Sequence, residues 1–139
     1  MAKVLYTPAI LGLAVSLADW PLTDDLPHQV ELRSQSCGSV VRVGISLDDT
    51  RQVAHFGVKA QACALGQASA AILAAHAIGK GHAEIASARD VLTAFLIGER
   101  ADPGDWPGIE HIASALPYPA RHGSILLPWR AAVAALEQP

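Results

Sequence analysis

Two cysteines and six histidines carry most of the reactive chemistry open to this 139-residue chain. Cys63 directly precedes an alanine-rich stretch that reads as a helix. Its sulfur would lie where the positive end of the helix dipole and the unpaired N–H groups favour a thiolate, the form that acts as nucleophile or metal ligand. Cys37 is followed by Gly38 in a predicted turn between strands, where backbone can approach closely. The two cysteines are 26 residues apart and match none of the short zinc-finger pairs. By physics alone, the reading of both as plain small hydrophobes starts ahead of a reactive role. His122 stands two residues before Ser124, near the start of the last predicted helix. His76 is separated from Cys63 by about 20 Å of helix and cannot share a site with it. His28, His55, His82 and His111 have no partner at ligand spacing. The chain contains no GxSxG, glycine-rich phosphate loop, HExxH or nucleotide fingerprint.

The elements that must position these residues are legible from periodicity. Thr7 as N-cap and Pro8 at the first helical position open a short helix that carries Ile10, Leu13, Val15 and Leu17 and ends before Trp20 and Pro21. The same start argues against reading the apolar residues from Val4 to Ala18 as a secretory signal, and they are too few to span a bilayer, which needs about 20. From His28 the period changes to alternation. Val30 and Leu32 mark a first strand, Ser34 to Ser39 a turn, and Val41, Val43, Ile45 and Leu47 one face of a second strand. After the Asp48-Asp49-Thr50 turn, a third strand is expected to face Ala54, Phe56 and Val58 to the core, with His55 and Lys59 outward. The alanine-rich segment then reads as a helix closing at Gly79, followed by a helix on Ile85, Ala88, Leu92 and Phe95 that ends near Gly98. Glu99 to Pro107 reads as a loop and Ile109 to Ile112 as a short helical piece. The final helix holds Leu126, Leu127, Val133 and Leu136, with Pro128 expected near its first turn. The fold class this implies is α+β, a three-stranded antiparallel meander packed against a layer of helices.

Composition narrows the function. Half of the residues are hydrophobic (51%) and 17% are charged, a balance that supports a folded core and argues against disorder. The length fits one domain over residues 1–139. Ten basic against thirteen acidic residues give a net charge of −3, with no electrostatic reason to bind nucleic acid or an anionic membrane. Two cysteines without the dense spacing of a secreted scaffold favour a reducing compartment, and the expected location is cytoplasmic.

Taken in order, the residues carry a resemblance over most of the chain. An N-terminal helix follows Leu5-Tyr6. A meander has Cys37-Gly38 in its first turn, and Cys63 opens the alanine-rich helix with the small residues Ser69 and Ala70 inside it. Pro119-Ala120-Arg121-His122-Gly123-Ser124 opens a last helix that continues through Trp129. This resembles the iron-sulfur cluster assembly scaffold family of IscU, SufU and NifU N-terminal type, with the SufE/NifU-like fold. The stretch from Phe56 to Gly79 is the most specific part. The separation of 61 positions from Cys63 to Ser124, and Trp129 after them, resemble the SufU-like branch.

The resemblance implies a non-catalytic scaffold that receives sulfur from a cysteine desulfurase, holds iron, zinc or an iron-sulfur cluster, and delivers to apo iron-sulfur proteins. Family members bind through three cysteines and an aspartate two residues after the first cysteine. Here the first two cysteines correspond to Cys37 and Cys63, the aspartate position to Ser39 and the third cysteine to Ser124, with His122 beside it as a candidate imidazole ligand. The expected cofactor-binding residues are therefore Cys37 and Cys63, and the candidate metal ligands are Cys37, Cys63, His122 and Ser124. Neutral hydroxyls at positions 39 and 124 are poor replacements for a carboxylate and a thiolate. Two other readings stay open: a divergent interaction protein that kept the fold without metal binding, and a small hydrolase using Ser124 and His122, for which no third residue to orient the base can be named.

Overall fold

The computed structural model describes residues 6–35 and 38–139. Helix α1 spans Pro8–Ser16 and starts where Thr7 and Pro8 place it, the Ile10 N–H donating to Thr7 Oγ1 at 3.2 Å. A single 3-10 turn, Leu17–Asp19, leads into the connector before the sheet. The strands are β1 (His28–Arg33), β2 (Val40–Leu47) and β3 (Val53–Gln61), antiparallel throughout and ordered β1-β2-β3. The α+β meander expected from the alternating pattern is thus what forms.

One detail of β3 differs from the simple alternation. His55 pairs with Ser46 and Val53 pairs with Leu47, so Ala54 is an extra residue without an opposite number. Such a bulge reverses which face the next residue uses. Val53, not Ala54, is consequently buried, while Phe56 and Val58 face the core as expected.

Three longer helices follow the sheet, α2 (Ala64–His76), α3 (His82–Leu96) and α4 (His122–Leu136), of which α2 and α4 pack on it and α3 packs on α4. Helix α2 is the middle of the molecule, buried at every position from Gly66 to Ala74 except Gln67, with α1 and α4 packed around it. A central helix walled in on several sides must be apolar all round, which is why alanine fills it. Helix α4 lies on β1 and β2 and touches both α2 and α3. Gly79 and Gly98 end α2 and α3 at left-handed φ of 86°, a conformation open to glycine.

Pro128 departs from the expectation that it would sit near the start of its helix. Helix α4 begins six residues earlier, and Pro128 lies inside it. Proline has no N–H for the carbonyl of Ser124 four residues back. Burial of Ile125 through Trp129 against α2 and the sheet offsets that local cost. No helix among the described residues is long and apolar enough to cross a membrane.

Candidate functional site

Three elements bring three of the residues singled out from the sequence, Ser39, Cys63 and Ser124, to one place. Ser39 ends the β1–β2 turn, whose backbone is closed by the Ser34 N–H donating to the Ser39 carbonyl at 2.8 Å. Cys63 is the N-cap of α2. Its corner is held from the next turn of helix, where Gln67 N–H donates to the Cys63 carbonyl and Gln67 Nε2 to the Ala62 carbonyl, both at 3.0 Å. Ser124 is the third residue of α4 and faces inward from its first turn.

At the meeting point, Ser39 Oγ and Ser124 Oγ are hydrogen-bonded at 3.1 Å, and the Cys63 thiol points to Ser124 Oγ at 3.7 Å. Ser124 is fully buried and Ser39 is 4% exposed, whereas Cys63 is half-buried. Buried hydroxyls are stable only when paired, and here they pair with each other. Among the described residues no buried side-chain polar atom lacks a partner.

Gly66 makes this packing possible. A Cβ at that position would collide with Ser124 Oγ and stand 2.8 Å from the Ala62 methyl. The close approach of α4 to α2 therefore requires glycine one turn after Cys63. An isolated glycine in an otherwise alanine-rich helix was the available sequence signal, because such a residue weakens the helix unless packing needs it.

Of the residues singled out from the sequence, the structure brings together Ser39, Cys63 and Ser124. Cys37 lies outside the described residues. His122 is turned away: its Nε2 donates to the Ala115 carbonyl at 3.1 Å. Residues two apart on a helix do not share a face, so His122 and Ser124 diverge from the same turn. Among the described residues no three of His, Cys, Asp and Glu come close enough to hold a metal ion.

Behind the site, a polar bridge ties α2 to α4. Ser69 Oγ donates to the Ile125 carbonyl at 2.6 Å and accepts from Trp129 Nε1 at 2.9 Å, with all three residues fully buried. Trp129 meets Trp106 edge to face, with centroids 5.0 Å apart, and Trp106 Nε1 donates to the Ile72 carbonyl at 2.9 Å. Sequence reasoning read the segment around Trp106 only as a loop. Its tryptophan anchors that loop to α2.

A groove of about 690 Å³ runs between α3 and residues 100–107. Four of its five charged residues are engaged locally. Arg100 pairs with Asp102 at 3.2 Å, Glu84 accepts from the Gly81 N–H at 3.2 Å, and Lys80 lies 5.8 Å from the Trp106 ring centre.

No family model matches the sequence. No curated protein matches it either. Solved structures do. An iron-sulfur cluster assembly scaffold candidate for the SUF system from Fervidobacterium islandicum AW-1 is 22% identical, covering 96% of this chain and 97% of that one with a TM-score of 0.86, a likeness of fold. The N-terminal part of a nitrogen-fixing NifU-like protein from Brucella abortus is 30% identical, with 93% of this chain and 90% of that chain covered and a TM-score of 0.83. With that identity carried along nearly the whole length of both chains, this protein belongs to the NifU-like family of N-terminal type.

Proposed function

We propose that this protein is a scaffold-type component of iron-sulfur cluster assembly, a non-catalytic single domain that accepts sulfur from a cysteine desulfurase and passes it toward apo iron-sulfur proteins. The observation that carries the proposal is the Cys63 thiol, held half-exposed at the N-terminus of α2 where α4 and the end of the β1–β2 turn converge, in a chain of this family. The chemistry required is thiol exchange. A thiolate of the acceptor attacks the outer sulfur of the desulfurase persulfide, a new S–S bond forms, and the desulfurase thiolate leaves with the electron pair of the broken bond. No external oxidant or reductant is needed.

Cys37 is the proposed acceptor and Cys63 the supporting residue, following the correspondence with the SufU-like branch. Incubation with a cysteine desulfurase and cysteine, followed by intact-mass measurement, should show added sulfur that disappears in Cys37→Ser and persists in Cys63→Ser. Loss in Cys63→Ser alone would exchange the two roles.

A second reading is favoured by one feature, the mutual hydrogen bond of Ser39 and Ser124, which fills the heart of the site with neutral groups. On that reading the chain keeps the fold and a desulfurase-docking surface without handling sulfur. If neither cysteine gains sulfur while the desulfurase still binds, this reading replaces the first.

A further inference from the structure

The family implies iron, zinc or a cluster at this site, and the described residues of the site do not fit such a group. We infer that Ser39 and Ser124 close the site of this chain against divalent metal, so that sulfur handled here is held without iron or zinc beside it. The inference deepens the sulfur-acceptor reading and rests on the same site.

Four observations carry it. The two hydroxyls that stand at the expected ligand positions are bonded to each other at 3.1 Å. A metal would have to break that bond and then be satisfied with neutral oxygens, when zinc and iron take thiolate, imidazole or carboxylate. Both oxygens are buried, with Ser124 at 0% and Ser39 at 4% exposure. The hydration shell of an approaching cation would therefore be stripped with neutral hydroxyls, not charged donors, at these two positions to replace it.

The space is also occupied. Gly66 leaves a recess in the wall of α2, and Ser124 Oγ fills it, so closely that a Cβ on Gly66 would collide with it. Finally, His122 stands two residues from Ser124 on α4, a spacing at which side chains do not share a helix face, and its ring is held by Nε2 donating to the Ala115 carbonyl. The Cys63 thiol reaches the hydroxyl pair, and among the described residues no three of His, Cys, Asp and Glu come together to hold a metal ion. A structural zinc centre takes four such ligands.

Metal binding is measured by titrating zinc against a chromophoric chelator and by the thiolate-to-cobalt charge-transfer absorption with cobalt(II). The proteins compared are the unaltered chain, Ser124→Cys, and the double variant Ser39→Asp with Ser124→Cys. The unaltered chain should show no charge-transfer band and lose zinc on dialysis. The double variant should bind zinc about 100-fold more tightly or better, because it gains a thiolate and a carboxylate. A stoichiometric zinc ion retained by the unaltered chain through dialysis overturns the inference. So does a double variant that folds by circular dichroism yet binds no more tightly. Should the double variant fail to fold, Ser124→Cys alone is read in the same way, with about a 10-fold gain expected and no gain counting against the inference. Sulfur uptake by the unaltered chain, followed in parallel by intact mass, reports on the acceptor function separately: uptake without metal supports both ideas, and no uptake without metal removes the acceptor function alone.

Discussion

Gly66 and Ser124 share one small volume: the missing side chain of the first is the space in which the hydroxyl of the second meets Ser39. Two helices and the end of a turn are thereby locked around an atom pair rather than around an apolar contact. Gly66→Ala should force α2 and α4 apart and break the Ser39–Ser124 bond, lowering stability by about 1–3 kcal/mol as overpacked cores do. Adding Ser124→Ala removes the collision with the hydroxyl but leaves the 2.8 Å approach to Ala62. The double variant should therefore recover part of the loss. Urea unfolding of the two single variants and the double variant checks this. Fully additive losses would show that the two residues do not compete for this space.

The Ser69 hydroxyl links Trp129 to the backbone of α4 from inside α2. In Ser69→Ala the Trp129 indole N–H loses its partner in a fully buried position, a loss of about 1–3 kcal/mol. Trp129→Phe removes that donor, so Ser69→Ala should cost less when combined with Trp129→Phe than in the unaltered chain. A double-mutant cycle by denaturant unfolding measures the difference. An unchanged cost in both backgrounds would mean that the hydrogen bond adds nothing.

The fold was largely legible because its local signals agree with its packing. Thr7-Pro8 starts α1, alternation marks β1 and β2, and glycines close α2 and α3. What escaped sequence reading depended on tertiary contacts. The bulge at Ala54 needs the partner strand to define it. Pro128 sits within α4 because burial along that helix outweighs a local rule. At the site, the family resemblance led to Ser39, Cys63 and Ser124, whereas the orientation of His122 depended on a carbonyl seven residues away, at Ala115. Nor could composition reveal that the two serines satisfy each other. That pairing follows from the approach of α4 to α2 at Gly66.

The β2–β3 turn makes stability sensitive to acid. Asp48 Oδ1 accepts from the Gln52 N–H at 3.0 Å and from the Thr50 hydroxyl and N–H at 2.7 and 2.9 Å. These bonds, with the Gln52 N–H first and the Thr50 hydroxyl second, favour the carboxylate and lower its pKa below the ordinary 3.8. A carboxylate with a depressed folded pKa contributes stability that is present above its unfolded value and lost as pH falls through the folded one. Urea midpoints of the unaltered chain should thus exceed those of Asp48→Ala from neutral pH down to about pH 4, and the gap should narrow below it. A gap that stays constant to pH 2 would assign the effect to turn geometry rather than to charge.

Metal should leave the stability of the unaltered chain untouched. Any ligand that binds only the folded state raises its stability by RT ln(1 + [L]/Kd), about 2.7 kcal/mol at a hundredfold excess over Kd. For a chain of this size that is a shift of several degrees in the unfolding midpoint, easily resolved by thermal scanning. With Ser39 and Ser124 hydrogen-bonded to each other, neither added zinc nor a strong chelator should move that midpoint. Ser39→Asp with Ser124→Cys supplies charged donors at both positions, and its midpoint should rise with zinc and fall back with chelator. The comparison separates two uses of the same pocket. If chelator lowers the midpoint of the unaltered chain and zinc restores it, metal is part of this native state and the serine pair must open to admit it. If only the double variant responds, two side chains account for the difference between a thiol site and a metal centre on one fold.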